Sequence, residues 1–162
     1  MNEERFKTMK QQGIQLMVKG YAWAEAILQV LRESEGWDPS PYQWAAAGYN
    51  GAIGTGKTIC GVLFGGTAFL GYLHGENATQ APDVKDEHRL QAIEAVQALF
   101  QGFLENFGQT DCQTLTGCDW SKKEDRHRYF EEKIYEDTCF NYFEYALKHC
   151  LGKIASLKPK NA

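Results

Sequence analysis

The 162-residue chain has no apolar run long enough to cross a membrane, and no segment alternates in the way that β-strands do. Its first residues, MNEERFKTMKQQ, are polar and contain no signal-peptide core, which predicts a cytoplasmic protein. The chain also lacks a basic stripe with interleaved aromatic residues, and its formal net charge is −4, so we do not expect nucleic acid as a partner. Neither a Ser-His-Asp arrangement nor a pair of carboxylates is legible, which leaves hydrolase chemistry without support.

Helical periodicity is what the chain has in abundance. Hydrophobic residues make up 43% of it and aromatic residues 13%, enough for a folded core. We predict an all-α fold, a single-domain helical bundle of about five to seven helices over residues 1–162. The first predicted helical region covers 3–34, with a bend or break at Gly20-Tyr21 and a cap at Gly36, and a short helix begins at Asp38-Pro39. The next two predicted helices are the segment after Lys57 or Thr58 and the segment from Asp86 to Phe107, which Gly108 stops. The last two are residues 121–134 and Thr138 to Leu157, the latter capped by Asp137.

The stretch from Gly48 to Gly75 holds more than half of the 16 glycines. Its residues 51–58, GAIGTGKT, satisfy the GxxxxGK[ST] pattern of a phosphate-binding loop, in which Lys57 and Thr58 would bind phosphate and Mg²⁺. Such a loop follows a buried strand, whereas the preceding YQWAAAGYN is rich in alanine and favours a helix. A nucleotide-binding protein is therefore kept as an alternative interpretation.

Three of the five cysteines fall near predicted helix starts. Cys60 lies about one turn into its helix, Cys139 lies near the start of the last helix, and Cys112 lies at a short helical turn. Unpaired N–H groups and the helix dipole favour thiolate at such positions. Converging thiolates would hold an iron–sulfur cluster or another soft metal, and scattered buried thiols are the alternative.

Glycines follow Cys60 at close spacing, at Gly61, Gly65 and Gly66. Glycine weakens a helix, so this clustering indicates that something large approaches the backbone, either another helix or an inorganic cluster. We therefore predict Gly61 and Gly65 as cofactor-contacting positions beside the thiols. No C-x-x-C-H occurs, which excludes a covalent c-type haem.

Several short motifs resemble one family. They are CGVLFG from Cys60, FGQTDCQTLTG around Cys112, DTCFNYFEYA around Cys139, and the lead-in AAAGYNGAIGTGKT. Their order and separations resemble the redox-active C-GCAxxG-C-C family over about Lys19 to Cys150. The resemblance implies an all-α fold and a redox or cluster-binding role with a redox partner protein, since a related domain of split-Soret cytochromes is associated with an iron–sulfur centre.

The chain departs from the family pattern at two positions. Val62 stands where the family has alanine, and Trp23 stands where the first family cysteine is expected. Three motif cysteines remain, so a fourth ligand would have to come from Cys118 or from a histidine. There are three other interpretations. A cluster iron could keep an open coordination position, two thiols could cycle between dithiol and disulfide, or the site could be degenerate in a non-catalytic helical protein. The sequence leaves open whether the protein is an enzyme and whether it forms a homodimer through an apolar helix face.

Overall fold

The computed structural model describes residues 3–38, 41–76 and 81–157. These ranges form nine helices and one isolated antiparallel bridge, between Ile59 and Asp111. The helices are α1 Glu3–Val18, α2 Trp23–Ser34, α3 Pro41–Ile53, α4 Gly61–Gly75, α5 Glu87–Phe107, α6 Cys112–Thr116, α7 Lys123–Glu131, α8 Ile134–Asp137 and α9 Cys139–Leu157. The all-α prediction is confirmed. The count exceeds seven because the connections around Cys112 and before Cys139 form the short helices α6 and α8.

Helix α4 lies at the centre of the fold. It carries no Asp, Glu, Lys or Arg, and a helix that is apolar on most sides is stable only when it is surrounded by protein. It packs against α2, α3, α5 and α9, and its Val62, Leu63, Phe69 and Leu70 are fully buried. The N-terminal ends of α2, α4 and α9 carry Trp23, Cys60 and Cys139, the positions that matter for the site.

Most helix ends follow the local signals that the sequence contains. The first helical region breaks at Gly20, whose φ is +96°, so α1 and α2 are separate helices. The Asp86 side chain accepts a hydrogen bond from the Arg89 N–H at 3.1 Å and begins α5. Gly108, with φ +74°, ends it, and Gly36, with φ +71°, follows the end of α2. The sequence predicts a helix start at Asp86 and a break or end at each of the three glycines. Glycine adopts positive φ without strain, and the structure shows that the aspartate caps a free N–H group.

Three sequence predictions about helix ends need correction, and a fourth falls on residues that the structure does not describe. Cys60 is the N-cap of α4 and does not lie one turn inside it. Asp137 ends α8 and does not cap α9, because a further turn of helix forms just before Cys139. The charged helix is shorter than 121–134, since α7 begins at Lys123. The helix start predicted at Asp38-Pro39 cannot be judged, because residues 39–40 lie outside the described residues.

The phosphate-loop pattern has the wrong structural context. Gly51 to Ile53 belong to α3, so a helix precedes the loop where a buried strand would be required.

Among the described helices, none is both long enough and apolar enough to span a bilayer.

Candidate functional site

One cavity of about 340 Å³ collects the cysteines that the sequence singled out. Cys60, Cys112 and Cys139 all line it, and Trp23 lines it too. Other lining residues include Gly61, Leu115, Trp120, Arg126, Tyr129 and Tyr142. The volume falls at the lower end of the range of small-molecule and cofactor pockets, about 300–1,000 Å³.

Backbone pairing between two loops holds Cys60 beside Cys112. The Cys60 N–H donates to the Thr110 carbonyl at 2.7 Å, and the Cys112 N–H donates to the Thr58 carbonyl at 2.8 Å. These two bonds frame the Ile59–Asp111 bridge. Asp111 then begins α6, because its carboxylate accepts the Thr114 N–H at 2.8 Å. A pairing of segments about 50 residues apart therefore decides that two of the thiols share a cavity.

Burial favours the protonated form of all three thiols. Cys60 is 5% exposed and Cys139 4%, and burial raises the pKa of both. Burial, together with the neighbouring Cys139, raises the pKa of the half-buried Cys112 to about 12. In the metal-free chain the helix starts do not by themselves favour thiolates, because removing the charged form from water outweighs the attraction of helix N–H groups. At Cys60 the Val62 and Leu63 N–H groups do oppose the shift, but they do not reverse it.

A chain of hydrogen bonds crosses the cavity wall from Trp23 to Cys139. The Trp23 indole Nε1–H donates to the Tyr129 hydroxyl oxygen at 3.0 Å, and the Tyr129 O–H donates to Cys139 Sγ at 3.1 Å. Tyr129 is only 2% exposed, and burial raises its pKa, so the hydroxyl keeps its proton. Trp23 therefore occupies the wall of the thiol-lined cavity and is linked to one of the thiols.

A second indole in the cavity wall, that of Trp120, has its N–H group beside a thiol. The Nε1 atom of Trp120 is buried and finds no hydrogen-bond partner among the described residues. Its N–H group nevertheless lies close enough to the Cys112 sulfur to act on it as a donor, which lowers the pKa of that thiol against the effect of burial. A buried donor of this kind is costly unless something accepts its proton. Trp120 and Cys112 therefore form a second contact between an indole N–H and a cavity thiol.

The remaining predicted residues lie elsewhere or serve another contact. Cys118 is fully buried outside the cavity lining, where its Sγ lies 3.5 Å from the Thr116 carbonyl and 3.5 Å from Arg128 Nη2. Gly61 does line the cavity, but Gly65 faces α2, since a Cβ there would overlap the Ala24 carbonyl oxygen. Among the described residues, no three His, Cys, Asp or Glu side chains are arranged to hold a single metal ion.

Sequence reasoning misses the aromatic residues of this site. The pattern around Trp23 and Trp120 favours packing residues, and Tyr129 lies within a segment that is otherwise charged. The available signal is the Tyr129-Phe130 pair, because one of two adjacent aromatic residues in such a helix has to face the interior. The hydrogen-bond partners themselves could not be found from spacing, since Trp23 and Tyr129 are 106 residues apart.

These features define an all-α protein with a cavity lined by three thiols. The chain belongs to the family described as "Putative redox-active protein (C_GCAxxG_C_C)", whose model matches residues 21–151. The resemblance noted in the motifs is thereby confirmed, and a redox-active role is consistent with the family. No curated protein and no solved structure matches the chain.

Proposed function

We propose that the protein is redox-active through an iron–sulfur group held in the cavity by Cys60, Cys112 and Cys139. One observation carries the proposal. Three thiols from three separate segments line the same cavity, whereas Cys118 and Cys150 are buried outside it. A set of thiols brought together from distant parts of a chain has the donor chemistry that an iron–sulfur group requires.

The fit favours a group of several atoms over a single ion. In the described residues no three ligating side chains are arranged to hold a single ion, yet the cavity that the three thiols line has a volume of about 340 Å³. The buried Trp120 N–H is a donor beside Cys112, and hydrogen bonds to sulfur are among the factors that set the potential of iron–sulfur groups. Gly61 forms part of the wall without adding a side chain to it, whereas we assign Gly65 to the contact with α2.

The protonation of the thiols argues against simple disulfide cycling. Thiol–disulfide exchange needs a thiolate, and a pKa of about 12 at Cys112 leaves very little of it near neutral pH. Cys60, Cys112 and Cys139 would instead give up their protons on binding a metal-containing group, so the affinity for such a group should increase with pH. When bound, the group would supply one-electron redox chemistry. The residues of this chain would orient it, bond to it and exclude water from it.

The test compares all five cysteines in one series. The full-length protein is purified without oxygen and reconstituted with iron and sulfide, and its visible spectrum, iron and sulfide are measured. Replacement of Cys60, Cys112 or Cys139 by serine should each remove most of the bound iron. The matched controls are Cys118→Ser and Cys150→Ser, since both change a buried thiol outside the cavity lining.

Two results would contradict the proposal. Iron retained in all three cavity variants would put the site elsewhere, and an iron-free wild-type protein would remove the iron–sulfur group. In the second case, mild oxidation that links two of the cavity thiols would support a dithiol site. Thiols that stay free would indicate a helical protein whose metal site has degenerated.

A further inference from the structure

The hydrogen-bond chain from Trp23 to Cys139 begins at a group that can only donate. An indole N–H is a donor and cannot accept, so Trp23 must donate and the Tyr129 oxygen must accept. The single proton of the Tyr129 hydroxyl is then free for the sulfur, at 3.1 Å. The orientation of the tyrosine hydroxyl is therefore determined by a residue on a different helix.

Tyr129 is the hydroxyl that can donate to this sulfur. Thr138 Oγ1 also lies near Cys139 Sγ, at 3.6 Å, but its one proton is used in a shorter bond of 2.6 Å to the Ile134 carbonyl. The hydroxyl of Tyr142, which also lines the cavity, donates to the Leu115 carbonyl at 3.0 Å. Cys139 thus receives one well-placed hydrogen bond, and it comes from Tyr129.

Packing alone does not account for Trp23. Its ring lies against Phe140 and Phe143, with centroid distances of 5.8 and 5.5 Å, and a phenylalanine at position 23 could make similar contacts. What a phenylalanine could not supply is the N–H that fixes the tyrosine oxygen as an acceptor. The polar part of Trp23 is therefore the part that reaches the site.

We propose that Trp23 and Tyr129 form a positioning pair, in which Trp23 orients the Tyr129 hydroxyl so that its proton stays on the sulfur of Cys139. The pair makes Cys139 different from Cys60 and Cys112, which line the same cavity. This proposal rests on the proposed function in one respect only, the effect of the pair on a bound iron–sulfur group. A hydrogen bond to a sulfur that ligates such a group raises the reduction potential of the group. In the metal-free protein the pair acts on the thiol itself.

The first test uses the metal-free, full-length protein and the S–H stretching band of Cys139. Raman difference spectra against Cys139→Ser isolate this band from those of the other four thiols. Tyr129→Phe should shift the band, and Trp23→Phe should shift it in the same direction. Tyr142→Phe is the matched control, because it removes a hydroxyl from the same cavity that is bonded to a backbone carbonyl. It should leave the band in place.

A double variant tests whether Trp23 acts through Tyr129. If it does, Trp23→Phe adds nothing once Tyr129 is phenylalanine, so the double variant shifts the band as far as Tyr129→Phe does alone. Independent, additive shifts would overturn the pair. Should Trp23→Phe fail to fold, the indole N–H signal of Trp23 in ultraviolet resonance Raman spectra must still change in Tyr129→Phe, where it loses its acceptor. An unchanged signal would also overturn the pair.

The reconstituted protein separates this proposal from the one on which it partly rests. If iron binds, Tyr129→Phe and Trp23→Phe should both lower its reduction potential, and Tyr142→Phe should not. An unchanged potential together with an unmoved S–H band would refute the pair while leaving the iron–sulfur site intact. If no iron binds but the band shifts as described, the positioning pair stands and the proposed function fails.

Discussion

Replacing Gly65 by alanine tests why the central helix contains so many glycines. A Cβ at position 65 would overlap the carbonyl oxygen of Ala24 and would come within 3.2 Å of the carbonyl carbon of the same residue. It would also overlap the Cγ2 atom of Ile27. The two Ala24 atoms belong to the backbone of α2, so they cannot rotate away as a side chain could. The substitution should therefore push α4 away from α2.

The magnitude follows from two opposing effects. Alanine in place of a helical glycine gains about 1 kcal/mol from helix propensity. Forcing an extra methyl group into a packed contact costs about 1–3 kcal/mol in stability. We expect a cost toward the upper end of this range at Gly65, because the neighbouring Ala24 atoms belong to the backbone and cannot rotate away. We expect a net loss of about 1–2 kcal/mol. For a chain of this length that lowers the Tm by roughly 2–8 °C.

Gly71→Ala in the same helix is the control. Nothing lies within 4 Å of a Cβ built at Gly71, so only the gain in helix propensity acts and the Tm should rise slightly. Thermal unfolding followed by circular dichroism measures both variants. If Gly65→Ala proves as stable as Gly71→Ala, the inference that Gly65 serves the contact between α2 and α4 is wrong.

Three further predictions concern a helix cap, alkaline pH and the phosphate-loop pattern. Asp86→Ala should cost about 1 kcal/mol in the free energy of unfolding, because the Arg89 N–H loses its acceptor; urea titration with an unchanged midpoint would contradict this. Burial raises the pKa of Cys150 from 9.0 to about 12, so the folded chain keeps a proton that the unfolded chain loses. Stability should therefore fall as the pH rises above about 9, by up to about 1.4 kcal/mol per pH unit for this thiol, and less steeply in Cys150→Ala. An equal slope in both proteins would exclude this contribution. Lys57→Ala should leave calorimetric titrations with Mg-ATP as featureless as those of the unaltered protein, and binding heat that disappears in the variant would revive the nucleotide-binding alternative.

Local chemistry in the sequence determined the helices and the cysteines that matter. A helix breaks at Gly20, one ends just before Gly36, one begins at Asp86, and the same helix ends at Gly108. The sequence could specify these points because each residue acts on backbone groups within about one turn. The order of the cysteine motifs was sufficient to identify the family, which the match over residues 21–151 confirms.

Only the tertiary structure decided the state and surroundings of the thiols. The protonation of Cys60 depends on how completely the other segments exclude water from it, and this burial outweighs the local effect of the helix start. The partner of Gly65 is α2, and the partner of Trp23 is a tyrosine 106 residues away. Contacts of this kind arise from the packing of whole helices against one another, so no spacing within the chain encodes them in a form that can be read in advance.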